Sequence, residues 1–183
     1  MRRLGTALGV QAMSLYNHVS DKDDLVAGMV DAVYGEVALP SIDEPWRDGL
    51  RRISIDTREA LLRHPWVCGI VFSAMVGSHR IAHMEVMLGL MRTSGFSIED
   101  THHGFHALNN HVVGHAMQTT SFTYDAGDLE ELGRQFLESL PQDRFPYLTE
   151  HVRYHAEPGS DESSSFTLVL DMVLDGLEGL RSA

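Results

Sequence analysis

The chain reads as an all-α protein, and three features of its 183 residues say so. Apolar residues recur three and four apart along most of the sequence, the period of one helix face. No stretch alternates apolar and polar residues with the period of a strand, and no segment repeats. Pro40, Pro65 and Gly95 stand where periodic stretches end, as helix-stopping residues do.

Leu4 and Leu8 lie one turn apart with Ala7 beside them, which predicts a first short helix. Gly9 follows and supplies the positive φ that a tight turn between two helices needs. A second short helix is predicted from about Gln11 to His18, burying Val10 and Leu15. Gln11, Met13, Ser14, Tyr16 and Asn17 then point outward. Ser20 is the expected N-cap of the next helix, with Asp23 at the N3 position that a capping box favours. Leu25, Val26, Met29, Val30, Val33 and Val37 carry that helix from Lys22 to Ala38. Pro40 closes it, and residues 41–45 form a connector.

Trp46 to Arg63 is the next helix, with Leu50, Ile53, Thr57, Ala60 and Leu61 on its inner stripe. Helices are expected over Trp66–Met75, His79–Thr93 and Ile98–Thr120. Asp125–Asp128 reads as a loop, Leu129–Leu140 and Phe145–His155 as helices, and Glu157–Ser165 has linker composition. Phe166–Leu180 is apolar around most of its circumference, so it must bury two faces and needs a partner beyond its own domain.

Helix, glycine turn, helix is the pattern of a helix-turn-helix, whose second helix enters the DNA major groove. The run Ser14-Leu15-Tyr16-Asn17-His18-Val19 with Lys22 resembles the recognition helix and following turn of TetR-type repressors. The resemblance continues through Pro45–Leu50, Ala60–His64, Ser94–Asp100 and Gly176–Glu178. It implies a partial TetR-type DNA-binding domain over residues 1–39 and a ligand-binding and dimerisation domain over 45–183. The family pattern places one more helix before the one holding Leu4, so an apolar patch around Leu4, Leu8, Leu15 and Leu25 is expected to lack part of its cover.

Composition agrees with local contact to DNA. Net charge is −12, which argues against wholesale wrapping of nucleic acid, yet Arg2, Arg3 and Lys22 face a single acid, Asp21, in the first segment. Cys68 is the lone cysteine, which excludes an intrachain disulfide and points to a reducing compartment. The apolar run Trp66–Val76 falls short of the ~20 residues of a membrane span, and a cytoplasmic protein is expected.

By resemblance, Arg2 contacts a base, Ser14 and Tyr16 make recognition-helix contacts, and Lys22 meets a phosphate. The residues assigned to DNA are Arg2, Gln11, Met13, Ser14, Tyr16, Asn17, His18 and Lys22. The tetracycline–metal positions of the family read Ala38, Ile53, Thr57, Val71, Met87 and Gln118 here. Val71 replaces a metal-binding histidine and Gln118 a carboxylate, so a tetracycline–magnesium inducer is not expected. Ile53, Thr57, Val71, Met84, Met87, Phe105, His106, Asn110 and Gln118 are instead expected to line a mostly apolar pocket, the equal alternative being that they are simply core.

His79/His83, His102/His106 and His111/His115 are each four apart, yet His79 precedes Arg80 and His111 precedes Val112. Neither pair has the adjacent glutamate of a His-Glu-x-x-His enzyme, so no metal and no cofactor is expected. No phosphate loop or nucleophile elbow appears, and the expected protein is non-enzymatic. The expectation is a homodimeric, ligand-responsive repressor that binds double-stranded operator DNA and a small, largely apolar inducer, with no membrane contact. The alternative is a ligand-binding or interaction protein that has lost DNA recognition.

Overall fold

The computed structural model describes residues 1–121, 126–156 and 162–181. Among them all regular structure is helical: α1 (Arg2–Leu8), α2 (Ala12–Leu15), α3 (Lys22–Tyr34), α4 (Trp46–Arg63), α5 (Ser78–Thr93), α6 (Ile98–Ser121), α7 (Ala126–Ser139), α8 (Pro146–Ala156) and α9 (Glu162–Arg181). A short 3-10 turn, Pro65–Val67, follows α4. None of the described helices is long and apolar enough to cross a membrane.

α4 is the central strut. It packs against α3, α5, α6 and α9, and its predicted inner stripe of Leu50, Ile53, Thr57, Ala60 and Leu61 is buried throughout. Leu90 and Met91 of α5, Leu108 and Val112 of α6, and Phe166, Leu170 and Leu174 of α9 complete one continuous core. Arg47 and Arg51 of α4 pair with Asp175 and Asp171 of α9 at 2.7 and 2.9 Å, so the two helices run in opposite senses. These pairs are partly exposed and set register more than stability. Ser97 caps α6, its Oγ accepting from the Asp100 N–H at 3.0 Å.

α9 divides its apolar residues between an inward and an outward face. Phe166, Leu170, Leu174 and Leu177 turn inward, while Leu168, Met172 and Leu180 remain exposed. α7 and α8 pack on each other, and α1 on α2.

Several boundaries differ from expectation for identifiable reasons. Residues 66–75 form the 3-10 turn and successive tight turns, not a helix, because Gly69 weakens helical continuity while Val67 and Val71 are drawn into the core. α3 stops at Tyr34 and not Ala38, at Gly35, after which Glu36 turns to accept from Arg63 at 3.0 Å and to meet His64 at 2.7 Å. The cap of α3 is shifted by one residue: Asp21 Oδ1 accepts from the Asp24 N–H at 2.8 Å, and Asp24 reaches back to the Ser20 N–H at 2.8 Å. A carboxylate cap next to the helix dipole displaces the hydroxyl that Ser20 offers.

α2 is a single turn, Ala12–Leu15, continued by 3-10-type bonds to His18. Val10 is 45% exposed and so not buried as expected, because no other described element lies over it. Residues 126–128 belong to α7, and 162–165 begin α9. Asp125 and residues 157–161, expected as loop and linker, lie outside the described residues.

Candidate functional site

The amino-terminal tip is built by one backbone requirement. Gly9 takes φ 67°, the left-handed conformation that lets α1 end and α2 begin within a few residues. Arg2, Gln11, Met13, Tyr16, Asn17, His18 and Lys22 are all exposed on this tip. Ser14 is half-buried and donates its hydroxyl to the Gln11 carbonyl at 2.6 Å. Such a surface offers cations, amides and a phenol within one small area, the mixture that phosphates and base edges require.

The second site is a cavity of about 180 Å³ where α3, α5 and α6 meet. α3 contributes Tyr34, α5 contributes Arg80, His83 and Met84, and α6 contributes Phe105, His106, Asn109 and Asn110. Phe72 and Val76, from the turns before α5, complete the wall. Arg80 places its guanidinium 5.6 Å from the Tyr34 ring centre and donates to the Val71 carbonyl. His83 meets the edge of the same tyrosine with centroids 5.1 Å apart. Burial pushes the Tyr34 phenol above its ordinary range, so it stays protonated. A shallow dent on α4, lined by Asp48, Arg51, Arg52, Ile55 and Asp56, comes from one helix and encloses nothing.

The structure brings Met84, Phe105, His106 and Asn110 of the sequence-predicted set together on the wall of one cavity. It places Ile53, Val71 and Met87 in the core instead, and Gln118 on the surface. Thr57 is buried behind the cavity and acts on it only through His83, with Oγ1 and Nε2 2.8 Å apart. Sequence reasoning missed Tyr34, Phe72, Val76, Arg80, His83 and Asn109. The spacing of Arg80, His83 and Met84 on one helix face was the signal available for part of that set.

The histidine pairs separate in character. His79 is exposed and bound to Asp31, whereas His83 is buried, so they share no metal site. His111 stacks on Phe166 at 4.7 Å and donates Nε2–H to its carbonyl at 3.0 Å. Among the described residues no group of three or more histidine, cysteine or acidic side chains is placed to hold a metal ion.

The helix that follows the tip and the helix that lines the cavity meet at a specific joint. Asp31, on α3, has a side chain only 13% exposed. Its Oδ1 accepts from the Arg80 N–H at 2.9 Å, and its Oδ2 from the His79 N–H at 3.2 Å and His79 Nδ1 at 3.0 Å. No residue flanking α5 caps it with its own side chain, so α3 supplies the cap from outside. Burial alone would raise the Asp31 carboxyl, but the N–H donors of Arg80 and His79 outweigh it and hold it below its ordinary value. Gly77 permits this approach, because a Cβ there would overlap the Asp31 carboxylate.

Residues 39–181 match the family model of the tetracyclin repressor-like C-terminal domain. An HTH-type transcriptional regulator of Saccharopolyspora erythraea is 36% identical over 116 residues, 62% of this chain and 49% of that protein, so the match spans about half the relative's length. The HTH-type transcriptional repressor DrrR1 of Streptomyces coeruleorubidus is 29% identical, over 98% of this chain and 70% of that protein. Among solved structures, the Streptomyces coelicolor TetR family protein ActR in complex with actinorhodin is similar, with TM-score 0.80 and 28% identity. That likeness covers 98% of this chain and 87% of the other.

Proposed function

This chain belongs to the tetracycline repressor-like (TetR) family, and on that premise we propose that it is a homodimeric transcriptional repressor released from operator DNA by a small, largely apolar inducer. The observation that carries the reading is the joint at Asp31. One helix, α3, follows the reading tip, supplies Tyr34 to the cavity wall and caps the helix that supplies Arg80 and His83. A ligand that moves the first turn of α5 therefore acts on the element holding the tip.

Support for the dimer comes from the bare stripe of Leu168, Met172 and Leu180 on α9, beside exposed Ala107, Gly114 and Met117 on α6. Gly114, Gly176 and Gly179 have open space over them, which lets a second copy approach closely. Two tips on such a dimer must stand about one DNA turn apart, roughly 34 Å, so a tilt of α3 breaks register. An inducer must bind the tilted state better, or it shifts nothing.

The test is enrichment of duplexes from a random pool, followed by anisotropy titration at several salt concentrations and sedimentation of the free protein. A dimer is expected, with Lys22→Gln lowering the salt slope by about one. A stable monomer that ignores every duplex overturns the reading.

A further inference from the structure

We propose that His83 is the specificity residue of the cavity, presenting a fixed hydrogen-bond acceptor that selects a flat aromatic ligand bearing a hydroxyl group. The proposal rests on the reading of the cavity as the inducer site and names the chemistry of that inducer. Its basis is a proton count.

Thr57 Oγ1 lies 2.6 Å from the Ile53 carbonyl. A carbonyl only accepts, so the single hydroxyl proton of Thr57 is spent on that bond. The same Oγ1 lies 2.8 Å from His83 Nε2. With no proton left to give, Thr57 must accept there, and Nε2 must carry the hydrogen. The remaining nitrogen, Nδ1, is then an unprotonated lone pair in the neutral ring. Among the described residues His83 makes no other hydrogen bond.

The ring stays neutral because burial, and then the Arg80 charge, pull its pKa down to about 4. His83 is therefore an acceptor at ordinary pH and does not serve as an anion-binding cation. It is 2% exposed and lines the cavity, and its ring nitrogens are not among the fully buried, unpartnered polar atoms, so the acceptor is open to a donor that enters the cavity.

The other walls say what carries that donor. Tyr34, Phe72, Met84 and Phe105 offer apolar and aromatic faces, which suit a flat ring system. The guanidinium of Arg80 at the same wall disfavours a cationic donor such as an ammonium. A hydroxyl on an aromatic ring meets all three conditions, and a volume near 180 Å³ suits a small fused system.

Two probes differing only in the donor make the test: 2-naphthol and 2-methoxynaphthalene, titrated into the full chain with labelled methionine methyls. The Met84 methyl reports occupancy of the cavity. Naphthol is expected to bind about tenfold tighter than its methyl ether, the worth of one buried hydrogen bond. His83→Leu should abolish that preference while keeping the ether's affinity. Thr57→Val, which frees the tautomer, should narrow the preference without emptying the cavity. Equal affinities in the unaltered protein, with Met84 shifted by both probes, overturn the acceptor and leave the inducer site standing. If neither probe moves Met84, the inducer site itself is wrong and the acceptor falls with it.

Discussion

Leu50 and Ile53 in α4 expose none of their surface, whereas Leu8 in α1 exposes 60% and Met13 in α2 exposes 74%. The body is a filled core with four helices around a strut, and its side chains are spent on packing. The tip is two short helices resting on each other, with its side chains turned to solvent. Packing and solvent exposure are thus assigned to different residues. On the proposed function, the body could be altered for what it binds without changing what the tip reads, with α3 the helix that follows the tip and packs on the body.

The sharpest contrast is a pair of identical substitutions. Leu108→Ala in α6 opens a cavity in the centre of the body and should cost about 4 kcal/mol in urea unfolding. Leu8→Ala in α1 should cost less than about 0.5 kcal/mol, since its side chain is already in water. Equal costs would mean that the tip shares the body's core after all.

Acid should weaken the body in two separable steps. The unfolded chain protonates His83 near its ordinary 6.5, while the folded chain resists until about 4. Between those values the unfolded state binds more protons, so stability falls as pH falls, by about 3 kcal/mol in total. Asp31 works in the window below. Its folded value is depressed, so its contribution is present above 3.8 and lost as pH drops through that lower value. Melting temperature against pH should show both, and His83→Leu should remove the first step alone.

Much of this division was legible in the sequence. The stripe along Trp46–Arg63 gave the strut, the excess of apolar residues in Phe166–Leu180 gave its second face, and Gly9 gave the turn of the tip. The cavity was only half legible, because helical period tells which face turns inward but not whether the interior there is filled. Ile53, Val71 and Met87 turn inward into packed core, while Arg80 and His83, both polar, turn inward to open space. Thr57 and His83 stand 26 residues apart and Asp31 and Arg80 stand 49 apart. No local pattern pairs residues at such separations; only the packing of α3 and α4 on α5 brings them together.

The joint gives a small effect and the most direct bearing on how tip and body differ. Asp31→Asn keeps the shape of the side chain but removes the charge that faces the first turn of α5. Loss of such a cap costs about 1 kcal/mol, well below the cost of Leu108→Ala. Its signature lies in where the loss falls. Amide exchange at His79 and Arg80 should quicken, since Asn offers one neutral acceptor oxygen where the carboxylate offers their N–H groups two charged ones. Exchange in α1 and α2 should quicken with it, while α6 and α9 keep their protection. Gly77→Ala should reproduce the pattern by pushing Asp31 aside from the opposite partner. If α5 loosens and the tip does not respond, α3 does not transmit between them, and the two regions are independent modules joined only by the chain.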